Sequence, residues 1–141
     1  MFNIMLSEDR LKHIKSVAEF MFKKANEIGY NEEKCEEMAV LGFLHDIGYM
    51  FTNPKEHAKA GGDILHRTEY IYWKEVYYHG DPFCEYASPE LNLLNMADMS
   101  VDGKGNVVGF KKRLNDIEKR HGKESEQYIN SKMIIDKLKD L

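Results

Sequence analysis

The sequence predicts an all-α protein, a compact bundle of about seven helices. Apolar residues recur at steps of three and four along most of the 141 residues, which is the period of an amphipathic helix. Residues that cap helices precede these segments, and glycines follow several of them. No Asn-Gly or Asp-Gly turn joins two alternating apolar runs, the usual signature of a β-hairpin.

The first two helices have clear boundaries in the sequence. Ser7 is placed to cap the first helix, which Gly29 ends. Asn31 is placed to cap the second helix. Residues 38–47 of that helix are apolar on nearly every side, so we expect the central buried helix, with its end at Gly48.

The next two helices lie in the middle of the chain. The third has three signals at its start, a cap, a first helical residue and a capping-box partner: Asn53, Pro54 and Glu56. We expect it to reach about Leu65. Thr68 is predicted to start an aromatic-rich fourth helix that stops at Gly80, with its aromatic residues in the core and in a pocket wall.

Three helices are predicted in the last third. A Ser-Pro pair opens a helix over residues 88–98. Residues 101–109 hold three glycines and are predicted to be a loop with a short extended piece. Helices then follow over residues 110–121 and 125–141, and the charge run from Lys111 to Arg113 is predicted to be a solvated helix face.

Length, charge and cysteine content restrict the class of protein. The length fits one domain over residues 1–141. Net charge is −4, which argues against a nucleic-acid polymer as partner. Cys35 and Cys84 form no metal-binding or disulfide pattern. No leader and no membrane-spanning run is recognised, so we predict a cytoplasmic protein without a membrane partner; a homodimer stays open.

Six polar residues lie on faces that are otherwise apolar: His13, His45, Asp46, His57, His79 and Asp98. Burying a carboxylate such as Asp46 without a partner is costly. One or two divalent ions bound by imidazole and carboxylate would compensate all six groups, and without thiol ligands we expect manganese, iron, magnesium, cobalt, nickel or zinc. The alternative is that each histidine is a core residue bonded to a carbonyl. His66 and His121 are predicted to lie on the surface.

The order of these residues resembles the HD-domain superfamily of metal-dependent phosphohydrolases. The matching segments lie between residues 10 and 98: Arg10 to His13, Leu44 to Gly48, Glu56 to Gly61, Val76 to Gly80 and Met96 to Asp98. The segment from Gly109 to Tyr128, which contains Arg113 to Ile117, also looks like that of small HD proteins. The resemblance implies that His13, His45, Asp46 and Asp98 bind one ion, and that Asp46, His57 and His79 bind a second.

The resemblance implies hydrolysis of a phosphate ester or anhydride by metal-activated water, with a nucleotide or small phosphorylated metabolite as substrate. Asp46 would orient the water as a bridging ligand. Arg10 lies one turn before His13 and is placed to add a phosphate contact, with a surface ion pair as the alternative. Phosphomonoesterase, phosphodiesterase and pyrophosphohydrolase activities stay open. Many relatives have a lysine where this chain has Tyr49. The alternatives are a di-iron oxygenase of the same superfamily and a non-catalytic binding module with a structural metal.

Overall fold

A computed structural model describes residues 6–51 and 56–141. In those ranges the chain forms seven α-helices and one 3₁₀ helix, named in chain order: α1 Glu8–Glu27, α2 Glu32–Leu44, the 3₁₀ helix Ile47–Met50, α3 His57–Arg67, α4 Trp73–Tyr78, α5 Pro89–Asp98, α6 Phe110–His121 and α7 Glu126–Lys139. The predicted all-α fold is confirmed. One isolated antiparallel bridge between Val101 and Val107 is the extended element of the described residues.

Two apolar clusters hold the helices together. The larger one joins the first five α-helices, α1 to α5, and includes fully buried side chains such as Met21, Met38 and Leu94. The smaller one joins α6 and α7 to the end of α5 through Met99, Ile117 and neighbouring isoleucines of α7. The C-terminal helices are thereby fixed beside the last turn of α5, which carries Asp98.

A glycine brings the 3₁₀ helix against the start of α3. Gly48 is buried, and a methyl group at this position would overlap the backbone carbonyl of His57. Any side chain here would therefore push the first turn of α3 away. The contact sets the distance between the segment that follows Asp46 and the backbone of His57.

The prediction for the second helix is wrong about where the helix ends and about how far it is buried. The α-helix ends at Leu44, and His45 and Asp46 lie in the turn before the 3₁₀ helix. Val40 and Phe43 are about half exposed, at 47% and 51%. The helix is therefore buried on one side, against α1, rather than surrounded.

The predicted fourth helix is wrong at its start. Thr68 is the C-cap of α3, and Glu69 adopts a positive φ of 62° that interrupts helical geometry. The backbone amide of Tyr70 donates to Leu65 and closes the end of α3. Helix α4 begins only at Trp73.

Most of the remaining boundaries agree with the predictions. The caps Ser7, Asn31 and Ser88 accept backbone hydrogen bonds as expected, and α6 spans the predicted residues 110–121. The predicted cap signals Asn53 and Pro54 lie outside the described residues. The prediction for Glu56 is wrong, because this capping-box partner was expected inside the third helix but is the N-cap of α3 and makes no side-chain capping bond. No helix of the described ranges has the length and hydropathy needed to cross a bilayer.

Candidate metal centre

The structure brings the six predicted side chains together. They come from five places in the fold: α1, the turn after α2, the first turn of α3, the end of α4 and the end of α5. Their ligand atoms form three overlapping triplets, each with all atoms within 4.8 Å of one another: His13, His45 and Asp46; His45, His79 and Asp98; Asp46, His57 and His79. Five of the six residues are buried, and the side chain of His57 is 20% exposed.

Three of the imidazoles are oriented by main-chain carbonyls. Nδ1 of His45 donates to Gly42 at 2.6 Å, and Nδ1 of His79 donates to Val76 at 2.6 Å. Nδ1 of His13 donates to Asp102 at 2.9 Å. Because Nδ1 holds the proton in each ring, Nε2 is the atom left to act as a metal ligand, and it points into the cluster.

Asp46 lies between two pairs of histidines. Its Oδ2 is 3.3 Å from Nε2 of His45 and 3.7 Å from Nε2 of His13. Its Oδ1 is 3.3 Å from Nε2 of His57 and 3.5 Å from Nε2 of His79. One carboxylate therefore faces two imidazole pairs with separate oxygens, which is the arrangement that a bridging ligand needs.

The donor atoms fit a divalent cation. Nε2 of His45 is fully buried and has no hydrogen-bond partner among the described residues. It lies 3.6 Å from Oδ1 of Asp98, and Nε2 of His13 lies 2.8 Å from the same oxygen. A neutral imidazole with its proton on Nδ1 turns the lone pair of Nε2 towards this carboxylate oxygen. The nitrogen and the oxygen then repel each other unless a proton or a metal ion lies between them. Imidazole nitrogen and carboxylate oxygen are the ligands that such ions accept in proteins.

The charges of the cluster are strongly coupled. Burial favours the neutral form of Asp46, but the charge of His45 and hydrogen bonds with the surrounding imidazoles hold the pKa of Asp46 well below its usual value. Burial also opposes ionisation of Asp98, but the hydrogen bond from His13 and the nearby imidazole of His45 lower its pKa. Burial alone would lower the pKa of His45, but the two carboxylates raise it to about 10. The pKa of His79 is lowered, chiefly by burial.

Arg10 and Tyr49 lie at the edge of the cluster. Nη1 of Arg10 is 3.0 Å from Oδ2 of Asp46, and its guanidinium lies 3.9 Å above the centre of the Tyr49 ring. Tyr49 in turn stacks on His57 with ring centres 4.2 Å apart. The side chain of Arg10 remains 25% exposed, so its positive charge borders the solvent-facing side of the centre.

Sequence reasoning missed Arg113. The prediction of a solvated face for Lys111 to Arg113 is wrong for this residue, which is 9% exposed. Its Nε donates to the carbonyl of Asp98 at 3.0 Å, and its Nη2 lies 3.6 Å from Oδ1 of Asp98. A signal was present, because Arg113 lies four residues before the buried Ile117 and shares its side of the helix.

A cleft of about 360 Å³ opens onto the cluster. Its lining includes Arg10, Tyr49 and Tyr77, together with residues of α6 and α7. The predicted aromatic segment thus divides as expected, since Tyr77 lines the cleft while Tyr72 is part of the core. The volume lies in the range of small-molecule sites.

The two remaining histidines lie outside the cluster. His66 is exposed and stacks on Trp73 with ring centres 3.8 Å apart, as expected for a surface residue. His121 is also exposed, but it contributes to the outer rim of the cleft. His66 therefore provides a control position that touches neither the cluster nor the cleft lining.

The fold is helical, and a buried cluster of histidines and aspartates lies under its cleft. These features place the protein in the class of helical proteins whose site could hold divalent metal ions. A family model described as HD domain matches residues 10–138, so the chain belongs to the HD-domain family. HD domains bind divalent metals and are generally hydrolases. Searches of curated proteins and of solved structures gave no match.

Proposed function

We propose that this protein is a metal-dependent phosphohydrolase that acts on a small phosphorylated substrate, such as a nucleotide. The proposal is carried by one observation: Asp46 presents its two oxygens to two separate imidazole pairs at the bottom of an open cleft. Family membership supports a hydrolase-type reaction at this position.

The six side chains divide into two ligand sets. His13, His45, Asp46 and Asp98 would hold one cation, and Asp46, His57 and His79 would hold the second. When bound, divalent cations supply activation of water and neutralise charge on the phosphate group. Manganese, iron, magnesium, cobalt, nickel and zinc all accept these nitrogen and oxygen ligands.

The roles of Asp46 and Arg10 follow from their positions. Asp46 faces both ligand sets, so it would orient the attacking water from the centre of the cluster. Arg10 borders the cleft, and its guanidinium is held in place by Tyr49 below and Asp46 beside it. A guanidinium fixed in this way presents N–H donors to phosphate oxygens. Arg10 thus supplies a fixed positive charge next to Tyr49, the position at which many relatives have lysine.

The proposal is tested by metal content and phosphate release in matched variants. The protein is stripped with a chelator, reloaded with each metal and supplied with nucleotides, diphosphates and simple phosphate esters. We expect manganese-dependent phosphate release that is abolished in His13→Ala and Asp46→Ala. Mass spectrometry should show reduced metal content in His13→Ala and His57→Ala, while His66→Ala keeps wild-type values.

Three results would contradict the proposal. Equal losses in His13→Ala and His66→Ala would mean that the cluster has no special role. Oxygen consumption by the iron-loaded protein, without phosphate release, would favour a di-iron oxygenase. Bound metal without turnover of any phosphate compound would favour a binding module.

A further inference from the structure

One face of α6 lines the cleft with two arginines on either side of an isoleucine. Arg113, Ile117 and Arg120 are separated by four and three residues, so they lie on the same side of the helix. Arg113 and Arg120 are seven residues apart, which places their backbones about 10 Å apart along the helix axis. Arg113 is at the inner end, beside Asp98, and Arg120 is at the outer end.

The two guanidinium groups have different partners. All three nitrogens of Arg113 are engaged, with Asp98 through Nε and Nη2 and with Asp116 through Nη1 at 3.1 Å. In Arg120, Nε donates to Oδ1 of Asp116 at 3.1 Å. The terminal nitrogens of Arg120 make no hydrogen bond to any other described residue, and its side chain is 38% exposed.

The orientation of Arg120 is set from two sides. Asp116 fixes Nε while its other oxygen accepts the backbone amide of Gly103 at 3.0 Å. The guanidinium of Arg120 lies directly over Gly103, where a methyl group would overlap it. A guanidinium held through Nε and against a flat backbone presents its two terminal nitrogens as a fork, the geometry that binds a phosphate or carboxylate with two hydrogen bonds.

We propose that Arg120 forms a subsite for a second anionic group of the substrate, so that the substrate class is a phosphorylated compound with anions at both ends. This inference rests on the proposed function, because the first phosphate is placed at the metal centre. The second group, a phosphate or a carboxylate, binds the Arg120 fork about 10 Å along α6 from Arg113. The part of the substrate between the two anions lies against Ile117 and Met99, both apolar and both in the cleft lining.

The test measures binding of phosphonates, which cannot be hydrolysed. Straight-chain alkane bisphosphonates of increasing length are titrated calorimetrically into the manganese-loaded protein, and each is compared with the alkyl monophosphonate of the same length. We expect one range of lengths at which the bisphosphonate binds about tenfold more tightly, a ratio that corresponds to ~1.4 kcal/mol. Arg120→Gln should reduce this preference to about twofold or less, because the fork is lost.

Two further variants separate charge from geometry. Lys119→Gln removes the same charge from the exposed neighbour of Arg120, outside the cleft lining, and should keep the full preference. Gly103→Ala retains all charges but displaces the guanidinium, and should reduce the preference. A preference kept in Gly103→Ala would overturn the claim of a fixed fork.

The remaining outcomes separate this proposal from the proposed hydrolysis. Equal binding of the two phosphonates, no binding of either, or an unchanged preference in Arg120→Gln would overturn the subsite. A bisphosphonate preference that depends on Arg120, in a protein that hydrolyses no phosphate compound, would support the subsite and overturn the hydrolysis. Phosphate release without such a preference would leave the hydrolysis and overturn the subsite.

Discussion

Replacement of Arg113 by alanine should destabilise the protein far more than replacement of its neighbour Lys112. Arg113 is buried and donates to the carbonyl of Asp98 and to the carboxylate of Asp116, whereas Lys112 is exposed. The alanine variant would leave the Asp98 carbonyl without its donor and both carboxylates without this cation. A large loss of stability is expected from these buried contacts. It would not be expected if residues 111–113 formed a solvated face, as the run of charges indicates.

The contacts of Arg113 give the approximate loss in free energy of unfolding. Removing one partner of a buried ion pair costs about 3–5 kcal/mol. The lower end applies here, because Asp98 retains His13 and Asp116 retains Arg120. A loss of about 3 kcal/mol in a chain of this length lowers the melting temperature by about 10 °C.

This difference is measured by thermal and urea unfolding of three proteins: Arg113→Ala, Lys112→Ala and the unmodified protein. We expect Lys112→Ala to change the free energy of unfolding by no more than about 0.5 kcal/mol, as surface substitutions usually do. If the two variants unfold at the same temperature and urea concentration, the buried contacts of Arg113 contribute nothing and the reasoning is refuted.

Three more predictions concern the centre. Manganese at a hundred times its dissociation constant should stabilise the protein by about 2.7 kcal/mol and raise its melting temperature by about 9 °C; an equal rise in His57→Ala would contradict the ligand assignment. Because the two carboxylates raise the pKa of His45 to about 10, cation binding at neutral pH should displace its proton, so apparent affinity should increase with pH. Calorimetry in buffers with different ionisation heats checks this, and binding without proton release would refute it. Gly48→Ala should cost about 1–3 kcal/mol and weaken metal binding, since its methyl group overlaps the backbone of His57; unchanged unfolding and metal content would refute it.

The cluster could be chosen from the sequence because its members are polar residues on apolar faces. His13 and Asp98 each share a helix face with buried apolar residues. Because a buried polar group is costly without a partner, the sequence indicated a shared partner such as a cation. Arg113 was missed because it is the last of three consecutive cations, and such a run resembles a solvated face. Its partner Asp98 lies on another helix, and no local pattern shows that contact.

Two helix ends could not be predicted from local preferences. The aromatic residues after Thr68 fit a helical pattern, but Glu69 adopts a positive φ and Tyr70 bonds back to α3. Asp46 lies at φ −104° and ψ 15°, just after the last turn of α2. In both places tertiary contacts override the helical periodicity that the sequence shows.

Three of the four imidazoles of the cluster, those of His13, His45 and His79, are oriented by main-chain oxygens. The oxygens that orient His79 and His13 belong to Val76 and Asp102, and every amino acid carries the same carbonyl. Alanine scanning removes side chains but leaves these carbonyls, so it would pass over the groups that aim the rings. What must be preserved at these positions is the path of the backbone, which depends on the end of α4 and on the loop that follows α5.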